Sequence, residues 1–203
     1  MKKTLPLLIF FILLSILAFL IPYFQLDVSI SHTIQSINSP LFSQTMSFVS
    51  YLGNLPLMVF TVATVSLFLF FTGRRKEAII GSLSTALATL SGSLIKLLIG
   101  RPRPTSALVR VATVLSDKSY PSGHVLAFTV FFGFLFYLLM QKTKLKLRDK
   151  FFFLILSLLI ASIGISRIYL GAHWASDVLG GYLLGLIWLF CTIRFYNLQH
   201  GPR

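Results

Sequence analysis

The stretch Ser166-Arg-Ile-Tyr-Leu-Gly-Ala-His-Trp-Ala-Ser-Asp177 places an arginine, a histidine and an aspartate between two long apolar runs. An ionisable side chain at membrane depth costs at least ~2.5 kcal/mol, so such residues are functional candidates by default. On a helix that begins near Gly171, His173 and Asp177 would stand at i and i+4 on one face. The carboxylate could then orient the imidazole and stabilise its cation, although the pair also fits a purely structural hydrogen bond.

Composition indicates a membrane protein with several spans. The chain has 203 residues, of which 56% are hydrophobic and 11% are charged, against about 25% charged in a soluble domain. Its net charge of +13 could suggest a nucleic-acid binder. The positive residues flank apolar runs instead of forming a soluble basic face, so we expect the lipid bilayer as a partner and no nucleic acid.

The sequence gives no reason to expect a metal or a cofactor. Cys191 is the only cysteine and lies in an apolar run, which argues against a disulfide and a thiolate metal site. Histidines and carboxylates occur without a zinc-protease, EF-hand or Walker motif. We therefore expect a metal-independent chemistry.

Six apolar runs are long enough to cross a bilayer, which needs about 20 residues. The first follows the charged Met1-Lys2-Lys3 and lacks a small-x-small cleavage site, so we interpret it as a retained span. The segment Asp27 to Gly53 predicts short amphipathic helices at the interface. We predict one all-α membrane domain, residues 1–203, with spans at Leu5 to Phe24, Leu55 to Thr72, Ala78 to Ile99, Pro121 or Ser122 to Met140, Phe151 to Tyr169, and Trp174 to Phe195.

Positive charge predicts the orientation of these spans, because short loops rich in lysine and arginine stay in the cytoplasm. With both termini cytoplasmic, that side receives Lys2, Lys3, Arg74, Arg75, Lys76, Lys142, Lys144, Lys146, Arg148, Lys150, Arg194 and Arg203. The extracytoplasmic side then receives the other six basic residues, which are Lys96, Arg101, Arg103, Arg110, Lys118 and Arg167. It also receives His124, His173 and Asp177.

Three polar segments lie at the extracytoplasmic ends of predicted spans, and alternating topology brings them to the same depth. They are Lys96 to Arg103-Pro104, Pro121-Ser122-Gly123-His124, and Ser166 to Asp177. In the second segment we expect the serine to cap a helix whose first N–H groups face an anion. The groups suited to neutralise and orient a phosphoryl group are Lys96, Arg103, Arg167, Ser122 and the backbone of Gly123.

The two histidines in these segments predict a reaction. His173, activated by Asp177, would be the nucleophile, and His124 would protonate the departing oxygen. Water would then hydrolyse the phosphohistidine, with His124 acting as the base.

The segments read Lys-x6-Arg-Pro, Pro-Ser-Gly-His and Ser-Arg-x5-His-x3-Asp. In this order they resemble the signature of the type 2 phosphatidic acid phosphatases, which are similar to vanadium haloperoxidases and bacterial acid phosphatases. The resemblance implies an acid phosphatase/vanadium haloperoxidase-like core, with six transmembrane helices in the membrane branch. It implies the same roles for His173, Asp177 and His124, and the same five phosphate ligands. Arg101 lies just outside the pattern and is expected to be an entrance residue or a solvated loop charge.

The leading functional hypothesis is a lipid phosphate or diphosphate phosphatase of the cell membrane that acts at the outer leaflet. Undecaprenyl diphosphate ranks first by analogy with carrier-lipid recycling, and phosphatidylglycerophosphate and phosphatidate are alternatives. Three other hypotheses stay open: a phosphotransferase with the same intermediate, a transporter that binds lipid head groups, and a haloperoxidase-like oxidant. The sequence does not indicate an oligomeric state.

Overall fold

The computed structural model of the protein describes residues 4–113, 115–142 and 144–199. In these ranges the chain forms eight α-helices and no β-strand. They are α1 (Leu5–Leu20), α2 (Gln25–Gln35), α3 (Pro40–Leu52), α4 (Leu55–Phe71), α5 (Arg75–Ile99), α6 (Gly123–Met140), α7 (Leu147–Tyr169) and α8 (Ala175–Leu198). Three residues of the predicted cytoplasmic clusters lie outside the described residues: Lys2, Lys3 and Arg203.

The described helices provide four to six membrane spans. Helices α5 to α8 are each long and apolar enough to cross a bilayer alone. The upper figure counts two bent pairs as single spans: α1 with α2, bent by 96°, and α3 with α4, bent by 66°. The predicted all-helical, multi-span architecture is confirmed, and α2 and α3 are the short helices expected between Asp27 and Gly53.

The first predicted span is too long at its C-terminal end. Helix α1 ends at Leu20 instead of Phe24 and has 16 residues, which is about 24 Å of helix at 1.5 Å per residue. Ile21 is extended, with φ −124° and ψ 116°, because the proline ring that follows it disfavours the helical region. Pro22 therefore ends the helix and turns the chain toward α2.

Helix α6 is the centre of the bundle. It is apolar on every side, as is typical of a helix that is buried all round, and Val125, Phe128 and Phe131 are at most 1% exposed. Helices α5, α7 and α8 pack around it, and α1 packs against α8. Helix α3 packs on α7, and α4 packs on α5.

Two glycines of α8 bring that helix close to α6. A Cβ added to Gly181 would lie 2.7 Å from the carbonyl oxygen of Ser122, and one added to Gly185 would lie 2.6 Å from Thr129 Cβ. Small residues spaced in this way allow membrane helices to approach closely. The resulting contact holds the starts of α6 and α8 together, and Ser122 N donates to Asp177 O at 3.0 Å.

The polar segments meet at one end of the bundle. Successive helices run in opposite directions, so the end of α5, the start of α6, the end of α7 and the start of α8 lie side by side. The connection at residues 100–122 crosses this end, where Val109 is buried with Val28 and Trp174. The juxtaposition predicted from alternating spans is therefore present.

Gly185→Val is expected to lower the thermal stability of the purified protein, because the new side chain would meet Thr129 and push α8 away from α6. Overpacking of this kind typically costs about 1–3 kcal/mol. Thermal unfolding in detergent measures the change. Cys191→Val, at an exposed position of the same helix, is the matched control. Equal unfolding temperatures for the two variants would contradict the close contact.

Candidate active site

His173 lies in the turn between α7 and α8 and is 1% exposed. Its Nδ1 is 3.6 Å from Asp177 Oδ2 and 3.5 Å from Ser119 Oγ, while its Nε2 is 3.3 Å from Arg103 Nη1. An arginine can only donate, so this contact assigns the lone pair to Nε2 and the proton to Nδ1. In this tautomer Nε2 carries the free lone pair and Nδ1–H faces the carboxylate.

The expectation that His173 and Asp177 share a helix that begins near Gly171 is wrong, whereas the predicted start of the last span, Trp174, is within one residue of the observed helix. Helix α8 begins at Ala175, where Asp177 Oδ2 accepts the backbone N–H of Trp174 at 2.9 Å and so caps the helix. Gly171 has a φ of +65°, and a Cβ there would lie 2.1 Å from the carbonyl oxygen of Arg110 in the loop between α5 and α6. His173 and Asp177 are therefore close because of a glycine turn and a helix cap, and not because they share a helix face.

Arg101 is neither an entrance residue nor a solvated loop charge. It is 1% exposed, and its Nη1 lies 2.5 Å from Asp177 Oδ1 while its Nη2 lies 2.9 Å from Asp27 Oδ2. Its Nε donates to the carbonyl of Pro22 at 3.0 Å. A buried charge requires such partners, because an unpaired one costs several kcal/mol. Arg101 therefore acts as the counter-ion of two buried carboxylates.

Asp27 ties α2 to the start of α8. Its Oδ1 accepts the backbone N–H of Ser176 at 2.8 Å, and its Oδ2 accepts the hydroxyl of the same residue at 2.8 Å. On the other side of Arg101, Asp177 accepts the hydroxyl of Ser119 at 2.5 Å. The result is a buried network from Asp27 through Arg101 to Asp177, which fixes the turn that carries the histidine.

Lys96 and Arg103, two of the predicted phosphate ligands, converge on one carboxylate. Lys96 Nζ is 2.7 Å from Asp117 Oδ2, and Arg103 Nη2 is 2.6 Å from Asp117 Oδ1. Partial burial raises the pKa of Asp117, but the two cations outweigh this effect and lower the pKa to about 2. Arg103 also contacts Nε2 of His173, so the carboxylate and its two cations lie next to the histidine ring.

Ser122, Gly123 and Arg167 provide donors that face the same end of the bundle. Ser122 precedes α6, but its side chain does not cap the helix as expected. Its buried Oγ, like the buried Nε of Arg167, has no hydrogen-bond partner among the described residues, although Arg167 Nη1 donates to Ser50 Oγ. A Cβ added to Gly123 would meet no atom within 4 Å, so a ligand can approach the backbone. Buried donors of this kind suit an oxyanion.

His124 lies in the first turn of α6 and lines a cavity of about 270 Å³ together with Arg167. Its Nε2 is 3.3 Å from Asn54 Oδ1, and the ring packs so closely on Gly53 that a Cβ there would lie 2.3 Å from Cδ2. The polar wall of the cavity comes from α3 and its junction with α4, with Ser47, Ser50, Tyr51 and Asn54. A histidine held in this way can donate a proton to an oxygen in the cavity.

The surroundings of His173 favour a neutral imidazole. Burial lowers the pKa of His173 well below its usual range, and the positive charges of Arg167 and Arg103 lower it further. A neutral ring keeps the lone pair that a nucleophile needs. The local charge therefore matches the tautomer indicated by the contacts of the ring.

Sequence reasoning identified Asp177 but missed the other two acidic members of this site, Asp27 and Asp117. The chain has 18 basic and five acidic residues, so each acid is a candidate partner for a buried cation, and this scarcity was the available signal for Asp27 and Asp117. For Arg101 the signal was its place in Arg101-Pro-Arg-Pro104, two residues before a predicted phosphate ligand. No sequence pattern singled out Ser119 or Ser50.

A family model described as the PAP2 superfamily matches residues 77–200, which is more than half of the chain and includes all three polar segments. The chain belongs to the PAP2 superfamily. The family that its motifs resemble is thereby confirmed.

Individual PAP2 proteins match over long stretches. Phosphatidylglycerophosphatase B of Bacillus subtilis is 28% identical over 197 residues, which cover 96% of this chain and 95% of the relative. Undecaprenyl-diphosphatase of Sulfolobus acidocaldarius is 29% identical over 145 residues, which cover 70% of this chain and 65% of the relative. The crystal structure of a transmembrane PAP2 type phosphatidylglycerolphosphate phosphatase from Bacillus subtilis matches with a TM-score of 0.83 and 26% identity, covering 98% of both chains.

Membership defines the class of the protein. It is a membrane-integral PAP2 phosphatase that hydrolyses lipid phosphate esters, with a lipid substrate and the bilayer as its surroundings. The predicted helical phosphatase core and the enzyme class are confirmed. A phosphatase is accordingly favoured over the transporter and the haloperoxidase-like oxidant.

Arg101→Met is expected to destabilise the protein and abolish phosphate release, because Asp27 and Asp177 lose their shared counter-ion. Removing one partner of a buried ion pair typically costs about 3–5 kcal/mol. Thermal unfolding and hydrolysis of a lipid phosphate measure the two effects.

A double variant and a loop variant control this experiment. Arg101→Met with Asp27→Asn should lose less stability than the sum of the two single losses, because one uncompensated buried charge is removed. Lys118→Met, at an exposed position of the same loop, should unfold like the wild type. Additive losses in the double variant would contradict a shared network.

Proposed function

We propose that the protein hydrolyses its lipid phosphate substrate through a phosphohistidine on His173, at the extracytoplasmic face of the membrane. One observation carries the proposal: Nε2 of His173 lies beside the guanidinium of Arg103, and Nδ1 faces Asp177. Transfer of a phosphoryl group to histidine needs a nucleophilic nitrogen next to a cation, with a carboxylate behind the other nitrogen.

In the first proposed step, Nε2 of His173 attacks phosphorus. The P–N bond forms while the bond from phosphorus to the leaving oxygen breaks, and His124, which enters this step as the imidazolium, donates a proton to that oxygen and becomes neutral. Asp177 stabilises the imidazolium through Nδ1–H. The oxygens of the transferring phosphoryl group are bound by Lys96, Arg103, Arg167, Ser122 Oγ and the N–H of Gly123.

In the second proposed step, water attacks the phosphohistidine. His124 has lost its proton and now takes one from the water, the P–N bond breaks, and inorganic phosphate leaves. In both steps the charge on the equatorial oxygens is balanced by fixed cations, which is the main requirement of phosphoryl transfer. A phosphotransferase would share the first step and replace water with another acceptor.

Undecaprenyl diphosphate is the first candidate substrate, by analogy with carrier-lipid recycling. The similarity to the undecaprenyl-diphosphatase of Sulfolobus acidocaldarius supports it. Attack on the terminal phosphorus would release undecaprenyl phosphate, which is an anion. Arg167 shares the cavity with His124 and would offset the charge of this leaving group.

Phosphatidylglycerophosphate is the second candidate, and the cavity beside His124 favours it. Its leaving oxygen belongs to a glycerol, whose neighbouring hydroxyl needs hydrogen-bond partners when it is buried. Ser47, Tyr51 and Asn54 provide hydroxyl and amide groups in that wall. The long match to phosphatidylglycerophosphatase B points the same way.

Phosphate release from purified protein and a panel of lipid phosphates tests the mechanism and ranks the substrates. The panel contains undecaprenyl diphosphate, phosphatidylglycerophosphate and phosphatidate, without an added acceptor. His173→Ala should lower the rate by about a thousandfold or more on each substrate that the wild type hydrolyses, because the nucleophile is lost.

His32→Ala is the matched control, because His32 is an exposed histidine of α2. It should keep the wild-type rate, and activity should persist in EDTA, since side chains of the protein carry the charge compensation. A His173→Ala variant with wild-type turnover would exclude the phosphohistidine. Turnover only after an acceptor is added would favour the phosphotransferase.

The proposed face of the membrane follows from the charge distribution. The site lies at one end of α5 to α8, whereas Arg74, Lys76, Lys142 and Lys146 lie next to the opposite helix ends. Basic loops are retained in the cytoplasm. The site end is then extracytoplasmic.

Ser116→Cys, in a Cys191→Ser background, should react with an impermeant thiol reagent added to intact cells, because residue 116 lies in the exposed loop at the site end. Lys144→Cys, in the loop at the opposite end of α6, is the matched control and should react only after lysis. Mass spectrometry or gel shift measures the labelling. The opposite pattern would place the site in the cytoplasm.

A further inference from the structure

Asp117 occupies an unusual position for an acidic residue in a phosphate-binding site. Its side chain is 55% exposed, whereas the side chains of its two partners, Lys96 and Arg103, are 16% and 11% exposed. The loop is also held through its backbone, since Arg103 Nε donates to the carbonyl of Asp117 at 2.8 Å. The carboxylate therefore lies at the surface while the two cations lie beneath it.

The two oxygens of Asp117 bind these cations separately. Oδ2 is 2.7 Å from Lys96 Nζ, and Oδ1 is 2.6 Å from Arg103 Nη2. The same guanidinium places Nη1 3.3 Å from His173 Nε2. A phosphoryl group attacked by Nε2 would use the same two donors for two of its oxygens. The carboxylate is thus bound as a phosphate would be.

The other four acidic residues of the chain form ion pairs with other cations. Asp27 and Asp177 neutralise Arg101, and Glu77 and Asp149 pair with Arg74 and Lys142 at the opposite helix ends. Among the described residues, Asp117 is thus the one carboxylate paired with Lys96 and Arg103. Its pKa of about 2 keeps it charged at neutral pH, so a bound phosphate would have to compete with a carboxylate for the two cations.

We infer that Asp117 is a resident counter-ion of the phosphate subsite, which the phosphoryl group of the substrate displaces from Lys96 and Arg103. This inference rests on the proposed function. While the subsite is empty, the carboxylate neutralises two cations that would otherwise repel each other. When the product forms, the carboxylate competes with inorganic phosphate for the same donors and speeds its release. Asp117 therefore lowers the affinity of the site for phosphate.

The test compares anion binding by the purified wild type and Asp117→Asn, which keeps the shape of the side chain and removes its charge. The probes are inorganic phosphate and orthovanadate, titrated calorimetrically and as inhibitors of lipid phosphate hydrolysis. We expect the variant to bind both anions about five- to tenfold more tightly, because two partly exposed ion pairs no longer compete. Product inhibition should rise by a similar factor.

Glu77→Gln is the matched control, because it changes the net charge by the same amount at the opposite end of α5. Its affinity for phosphate should equal that of the wild type. Asp117→Glu should also bind like the wild type, since the charge is kept. Asp117→Ser is the second test variant if Asp117→Asn does not fold, and it should also bind the anions more tightly.

The direction of the change distinguishes a competitor from a scaffold. If Asp117 only held Lys96 and Arg103 in place, its removal would weaken the binding of both anions. Unchanged or weaker binding in Asp117→Asn, or an equal gain in Glu77→Gln, overturns the inference. Calorimetric titration with vanadate needs no turnover, so it tests the role of Asp117 even if no lipid phosphate is hydrolysed. A failure to hydrolyse any lipid phosphate would count against the proposed mechanism and not against the role of Asp117.

Discussion

The buried guanidinium of Arg101 must be paired, and the site is arranged around this requirement. In an interior with a low dielectric constant, an isolated charge costs several kcal/mol, so Arg101, Asp27 and Asp177 are stable there only together. The three residues belong to a loop, to α2 and to α8. Their pairing therefore holds these segments in one arrangement, and the turn that carries His173 lies between them.

Helix packing provides the second constraint. Gly181 and Gly185 let α8 approach α6, and this contact places the N-terminal ends of both helices at the same end of the bundle. Donors and helix N-termini are then oriented before a ligand arrives, so little reorganisation is needed during phosphoryl transfer. Residues with no contact to the substrate thus determine the geometry of the site.

The few acids of the chain neutralise cations in two different ways. Arg101 is fully buried and has two buried partners, so its charge is compensated permanently. Lys96 and Arg103 share Asp117, whose side chain is largely exposed. An exposed carboxylate can exchange for another anion at low cost, whereas a buried one cannot. This difference separates the structural cation from the cations that are available to a ligand.

The helices and the motif residues could be predicted from local sequence patterns. Apolar runs indicate spans wherever they occur, and the residue types from Lys96 to Asp177 indicate phosphate chemistry without knowledge of their packing. The pairing of Arg101 with Asp27 could not be read in this way, because Asp27 is 74 residues away along the chain and the contact depends on where α2 packs. The placement of His173 on the same helix as Asp177 was also wrong, because the turn before α8 depends on a helix cap and on a glycine that packs against a distant loop. Hydropathy and motif spacing are encoded locally, whereas the pairing of buried charges arises only when the folded chain excludes water.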